Sequence, residues 1–197
     1  MQSRTEDLEA IRRIAQEMVR SASFAGMDHV ERVARIAEQI GCEEGADLDV
    51  LRAAAYLHDI AVPLDKLRHY DLGGRLARGL LRDLGWTEEQ IEPVVHAVEA
   101  HSRYGGPEPQ TLEARILQDA DAVEYVGAVG LARAIVRSYE AGEYRGNVAE
   151  LAALVDRLIE RAEGSLHTAR GRELAADRIS WLRLFQERLQ AELAGEM

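Results

Sequence analysis

The sequence predicts an all-α fold, a single helical domain of about eight or nine helices. Apolar residues recur at helical spacing through most of its 197 residues. No stretch shows the sustained two-residue alternation of a strand or the Asn-Gly turn of a hairpin. No fixed repeat, low-complexity run or linker rich in Pro, Gly or Ser divides the chain. Residues 1–197 are therefore read as one domain.

The elements follow in order. Residues 5–22 place Leu8, Ile11, Ile14, Ala15, Met18 and Val19 on one helical face. Ser21–Gly26 reads as a connector, and Asp28 as the cap of a helix that continues to Ile40 and stops at Gly41. Asp47 or Asp49 opens a third helix through Leu51, Ala54, Ala55, Leu57 and His58, which Pro63 terminates because proline lacks an N–H and disfavours helix before it. His69 lies at the start of a helix, and Leu76, Ala77, Leu80, Leu81 and Leu84 form an apolar face between Gly73 and Leu84. Thr87 and Gln90 have the spacing of a capping box for a helix ending at His101. After a loop over 102–110, residues 112–139 are helical by pattern, with an interruption near Gly127 or Gly130. A second loop over 142–147 precedes helices at about 148–163 and 168–194.

Composition narrows the function. The net charge of −11 argues against duplex nucleic acid or an anionic membrane as the main partner, since both select basic surfaces. A small phosphorylated substrate stays open, because a metal ion and a few arginines can reverse the field locally. No apolar run reaches the ~20 residues of a membrane span, and the charged N-terminus is not expected to be a signal peptide. With one cysteine, Cys42, an internal disulfide is excluded and a cytoplasmic location is expected.

The chemistry gathers around His58 and Asp59. A carboxylate in so apolar a segment is costly unless something pairs with it. A divalent metal would do so, with His58 supplying nitrogen and Asp59 oxygen. His29 is helix-borne, and Asp119 and Asp121 interrupt an otherwise apolar helix. Residues two apart on a helix point about 200° from each other, so only one of these two Asp residues can face a shared site. A His, a His-Asp pair and a later Asp on separate helices make a mixed nitrogen–oxygen site suited to Mn, Fe, Ni, Co or Zn.

The order His29, His58-Asp59, Asp121 resembles the HD-domain superfamily of metal-dependent phosphohydrolases. The resemblance covers about residues 27–130, with the helices over 148–194 expected to pack on that core. It rests on His29-Val30-Glu31-Arg32-Val33, Leu57-His58-Asp59-Ile60, His69 with Gly73-Gly74, the helix end at His101, and Asp119-Ala120-Asp121. It implies His29, His58, Asp59 and Asp121 as metal ligands and one divalent transition metal as cofactor, with Mg also acceptable. His69 and His101 match positions that hold a second metal in dinuclear members. The histidine that usually follows directly is Ser102 here, so one metal is expected, with His69 and His101 facing substrate. The frequent Lys of the second motif is Val62, leaving Lys66 as the nearest amine, and Ala25 stands where the first motif often has an upstream His. Tyr125, one helical turn past Asp121, matches a sugar-contacting position of nucleotide-cleaving relatives. Arg103 and Arg145 are further candidates for contacting phosphate.

The implied activity is hydrolysis of a phosphate ester or anhydride in a small molecule, a nucleotide first, with Lys66, His69 and His101 assisting. A non-catalytic, metal- and ligand-binding regulatory module and a di-iron oxygenase of the same fold are the rivals. The oxygenase needs two complete metal sites, which Ser102 argues against. A homodimer is compatible with the chain.

Overall fold

The computed structural model describes residues 4–22, 25–103, 105–164 and 166–196. Among them are nine α-helices, one 3-10 turn and no strand. The readings that fall on Ser23, Phe24, Tyr104 and Ser165 lie outside the described residues. The chain packs as two compact units, Met1–Asp121 and Ala122–Met197.

The first unit holds α1 (Arg4–Met18), α2 (Met27–Glu44), α3 (Leu48–Leu57), α4 (His69–Asp83), α5 (Glu88–Ala100) and most of α6 (Leu112–Val123). At its centre is α3, which packs on α1, α2 and α5. Leu51, Ala53, Ala54, Ala55 and Leu57 are all fully buried, while Asp49, Arg52 and Tyr56 are half-buried, so a wide apolar face of this helix meets its neighbours. Asp47 caps it, accepting from the N–H groups of Asp49 and Val50.

Three boundaries differ from the sequence reading, each for a local reason. Helix α2 runs through Gly41 to Glu44, because Gly41 is a packing position: a Cβ there would come within 2.6 Å of the Leu51 side chain. Gly45, at φ 78°, takes the left-handed turn that ends the helix. Asp28 is not the cap of α2, which begins at Met27 after Gly26; its carboxylate accepts from Arg32 one turn on, at 3.0 Å. Helix α3 ends at Leu57, before Pro63 is reached. The His58 ring there donates Nδ1–H to the carbonyl of Ala55, the group that Asp59 N–H would use if the helix continued. Residues 58–64 instead form successive turns, with Val62 N–H on the Asp59 carbonyl and Leu64 N–H on that of Ala61.

Helix α4 lies along α5 and meets the turn after α3 through Gly73, whose Cα side faces the His58 carbonyl and Val98. Thr87 and Gln90 form the expected capping box of α5.

The second unit holds α7 (Gly127–Glu140), a 3-10 turn (Val148–Glu150), α8 (Leu151–Glu163) and α9 (Ala169–Leu193). The expected interruption lies at Gly127, at φ 81°. Helix α9 packs on both α7 and α8 through Ala175, Ile179 and Leu182 among its buried residues. Thr168 caps it by accepting from Gly171 N–H. No described helix is long and apolar enough to cross a membrane.

Candidate metal centre

All six histidine and aspartate side chains of the centre come from the first unit. His58 and His101 are the C-terminal caps of α3 and α5, and they are held in the same way. Each ring donates Nδ1–H to the carbonyl three residues back, His58 to Ala55 at 2.7 Å and His101 to Val98 at 2.5 Å. His69, which opens α4, donates its Nδ1–H to the carbonyl of Lys66 at 2.9 Å. A carbonyl only accepts, so the hydrogen sits on Nδ1, and a neutral ring presents the lone pair of Nε2 to the interior.

Those Nε2 atoms converge on Asp59. Its Oδ2 lies 3.4 Å from His58 Nε2 and 3.6 Å from His29 Nε2. Its Oδ1 lies 3.5 Å from His101 Nε2 and 3.7 Å from His69 Nε2. Asp121 Oδ1 closes the first side, 3.5 Å from His29 Nε2. Two sets of three donors result, His29, His58 and Asp121 in one and Asp59, His69 and His101 in the other, the atoms of each lying within 4.8 Å of one another. One carboxylate oxygen of Asp59 faces each set.

The electrostatics call for positive charge here. His29, His58, Asp59 and His101 are all buried. Burial alone would push the Asp59 carboxyl up, but His58 and His101 hold it well below the usual carboxylate range. Burial alone would lower His58, yet the neighbouring Asp59 and Asp121 carboxylates raise it to about 9. His69 is pushed below its ordinary value by burial and by His101. His69 Nε2 and His101 Nε2 stand 3.1 Å apart, and His29 and His58 meet through Nε2 at 3.4 Å. With Nδ1 of both rings bonded to a carbonyl, neutral His69 and His101 cannot bond each other through their Nε2 lone pairs, so that pair needs a proton or a cation between its members. The donors fit divalent metal ions: imidazole nitrogens fixed by carbonyls behind them, and carboxylate oxygens on the same centre.

The other residues singled out by sequence lie elsewhere. Asp119 is fully buried and belongs to neither donor set. Lys66 and Arg103 are exposed, on the turns beside His69 and His101. Arg32 braces α2 through Asp28. Tyr125 belongs to the second unit and is not one helical turn beyond Asp121: α6 ends at Val123, and Tyr125 N–H bonds the Ala122 carbonyl in a tighter turn. Its hydroxyl accepts from Arg161 at 2.7 Å, and the Arg161 guanidinium lies 3.8 Å over its ring. Arg145 is exposed in the turn after α7. His96 accepts the Gln110 N–H at 2.9 Å, tying the loop after His101 back to α5.

Comparison with known proteins places the chain in a family. The family model described as HD domain matches residues 26–126. YpgQ of Bacillus subtilis is 31% identical over 180 residues, covering 85% of this chain and 83% of YpgQ. The chain belongs to the HD-domain family. The crystal structure of YpgQ superposes with a TM-score of 0.80 at 26% identity, covering 98% of this chain and 99% of that one. A predicted HD superfamily hydrolase from an uncultured Thermotogales bacterium gives a TM-score of 0.70 at 29% identity, covering 94% and 92%. Ribonuclease Y of Cutibacterium acnes is 34% identical over 101 residues, which span 49% of this chain but only 17% of that protein. The fold is that of the HD-superfamily hydrolases, a family that binds divalent metals.

Proposed function

We propose that this HD-domain protein is a divalent-metal-dependent phosphohydrolase that cleaves a phosphate ester or anhydride of a nucleotide. The observation that carries the proposal is Asp59, a buried carboxylate with one oxygen toward His29 and His58 and the other toward His69 and His101. A bound divalent cation supplies an acidified water and a counter-charge for a phosphoryl oxygen.

The side chains of the chain have distinct tasks. His29, His58 and Asp121 form one half of the centre, and His69 and His101 the other, with Asp59 shared. Each carbonyl-bonded Nδ1 holds its ring in one tautomer and one orientation, so the donor atoms are placed before anything binds. The single-metal expectation rested on Ser102. The meeting of His69 and His101 at Asp59 Oδ1 instead supports two ions. Lys66 and Arg103 supply positive charge at the exposed rim, where a phosphate tail can be met.

The nucleotide assignment draws on YpgQ, which has been solved in complex with ADP and matches this chain with a TM-score of 0.79 at 25% identity. The single cysteine supports a reducing cytoplasm as the working compartment. The test is metal analysis of the purified protein, followed by a screen for released phosphate and pyrophosphate over nucleotides with added Mn, Co, Ni or Mg. Metal-stimulated release from a nucleotide is expected. Bound metal with no release from any nucleotide would overturn the catalytic reading.

A further inference from the structure

Helix α6 carries a second polar residue that no motif explains. Gln118 is buried, between Leu117 and Asp119, which are buried too. A leucine would fill a similar volume there without the cost of desolvating an amide. Its Nε2 donates to the carbonyl of Ala100 on α5 at 2.5 Å, eighteen positions away along the chain. Ala100 is the last residue of α5, and its carbonyl is among the four that a helix end leaves without an intrahelical partner.

That carbonyl belongs to the peptide plane from which His101 starts. Its direction sets how the His101 Cα–Cβ bond leaves the helix, while the Val98 carbonyl sets the ring. The following loop adds a third restraint, with Gly106 N–H on the Ser102 carbonyl at 3.3 Å. One turn beyond Gln118 on the same helix, Asp121 reaches His29. Helix α6 thus provides a donor to the first set and grips the backbone that carries a donor of the second.

We infer that Gln118 is a positioning residue for His101, setting the second donor set relative to the first. The inference rests on the two-ion reading of the centre, deepening it. Two variants separate its amide from its bulk. Gln118→Met keeps the volume and removes the donor; Gln118→Glu keeps the shape and, once ionised at high pH, puts an acceptor against the carbonyl.

The experiment compares both variants with the unaltered protein by imidazole NMR of the metal-free, isotope-labelled chain and by Mn titration. In both variants the His101 ring resonances should move while those of His29 hold. The Mn equivalent that His101→Ala removes should lose about tenfold in affinity and the other should change less than about twofold. Unchanged His101 resonances in both variants would overturn the inference. So would a proportional loss of both equivalents together with a lowered Tm, the signature of a general packing role. If the unaltered protein binds no Mn, the metal reading fails by itself, and the His101 resonances still decide the role of Gln118.

Discussion

His69 Nε2 and His101 Nε2 face each other at 3.1 Å while the Nδ1 of each ring donates to a carbonyl behind it. The two rings come from the start of α4 and the end of α5, and their lone pairs have no proton to share when both are neutral. A cation between them relieves this. Apo-protein titrated with Mn should therefore take up two equivalents, and a magnetically coupled pair should be visible by electron paramagnetic resonance. His101→Ala should reduce uptake to one. A single equivalent in the unaltered protein would restore the one-metal reading and make His69 and His101 substrate-facing groups.

Asp59 is the shared member of the centre, so its loss should be felt on both sides. Asp59→Ala is expected to lower metal affinity at least about tenfold and abolish phosphate release. The helical circular dichroism should survive, because Asp59 lies in the turn after α3 and contributes nothing to a helix core. An Mn affinity unchanged from the unaltered protein, measured by titration of the metal-free variant, would exclude Asp59 as a ligand.

Asp119 and Asp121 are an internal control for the rotation of α6. Asp121 reaches His29 Nε2, whereas Asp119 is fully buried and in neither donor set. Asp121→Asn should impair Mn binding with little change in Tm. Asp119→Asn should lower Tm and leave Mn binding nearly intact. The reverse pattern would mean that α6 presents Asp119 to the centre.

Trp86 and Asp7 make a separate prediction about stability. The Trp86 indole N–H donates to buried Asp7 Oδ2 at 3.1 Å, and the Arg4 guanidinium lies 3.7 Å over the ring. Asp7 Oδ1 has no hydrogen-bond partner among the described residues. Trp86→Phe takes the donor from a buried carboxylate and should cost about 1–3 kcal/mol in urea denaturation. Adding Asp7→Leu should recover part of that loss, since the stranded carboxylate goes with it. Metal uptake should not change in either variant; a double variant no more stable than Trp86→Phe would show that the bond is not the source of the loss.

The sequence by itself determined the all-α fold, most of the helices and the order of the motif residues. Helical periodicity links neighbours three and four apart, so it is written locally, and a break near Gly127 or Gly130 and the capping box at Thr87 were legible for the same reason. The sequence also limited Asp119 and Asp121 to one member that can face a shared site, and only the family resemblance chose Asp121. Tertiary structure decided what those local rules do not contain. Helix α3 ends at Leu57 because a side chain, His58, takes up the Ala55 carbonyl, where the sequence pointed to Pro63. Gly41 passes through a helix because Leu51 packs against it. His69 and His101 meet at Asp59 because α4 and α5 pack side by side, α5 against α3 and α4 against the turn that follows it. Gln118 reaches Ala100 by the same kind of contact between distant segments. Convergence of this kind depends on helix rotation and crossing, which packing sets and which no spacing along the chain records.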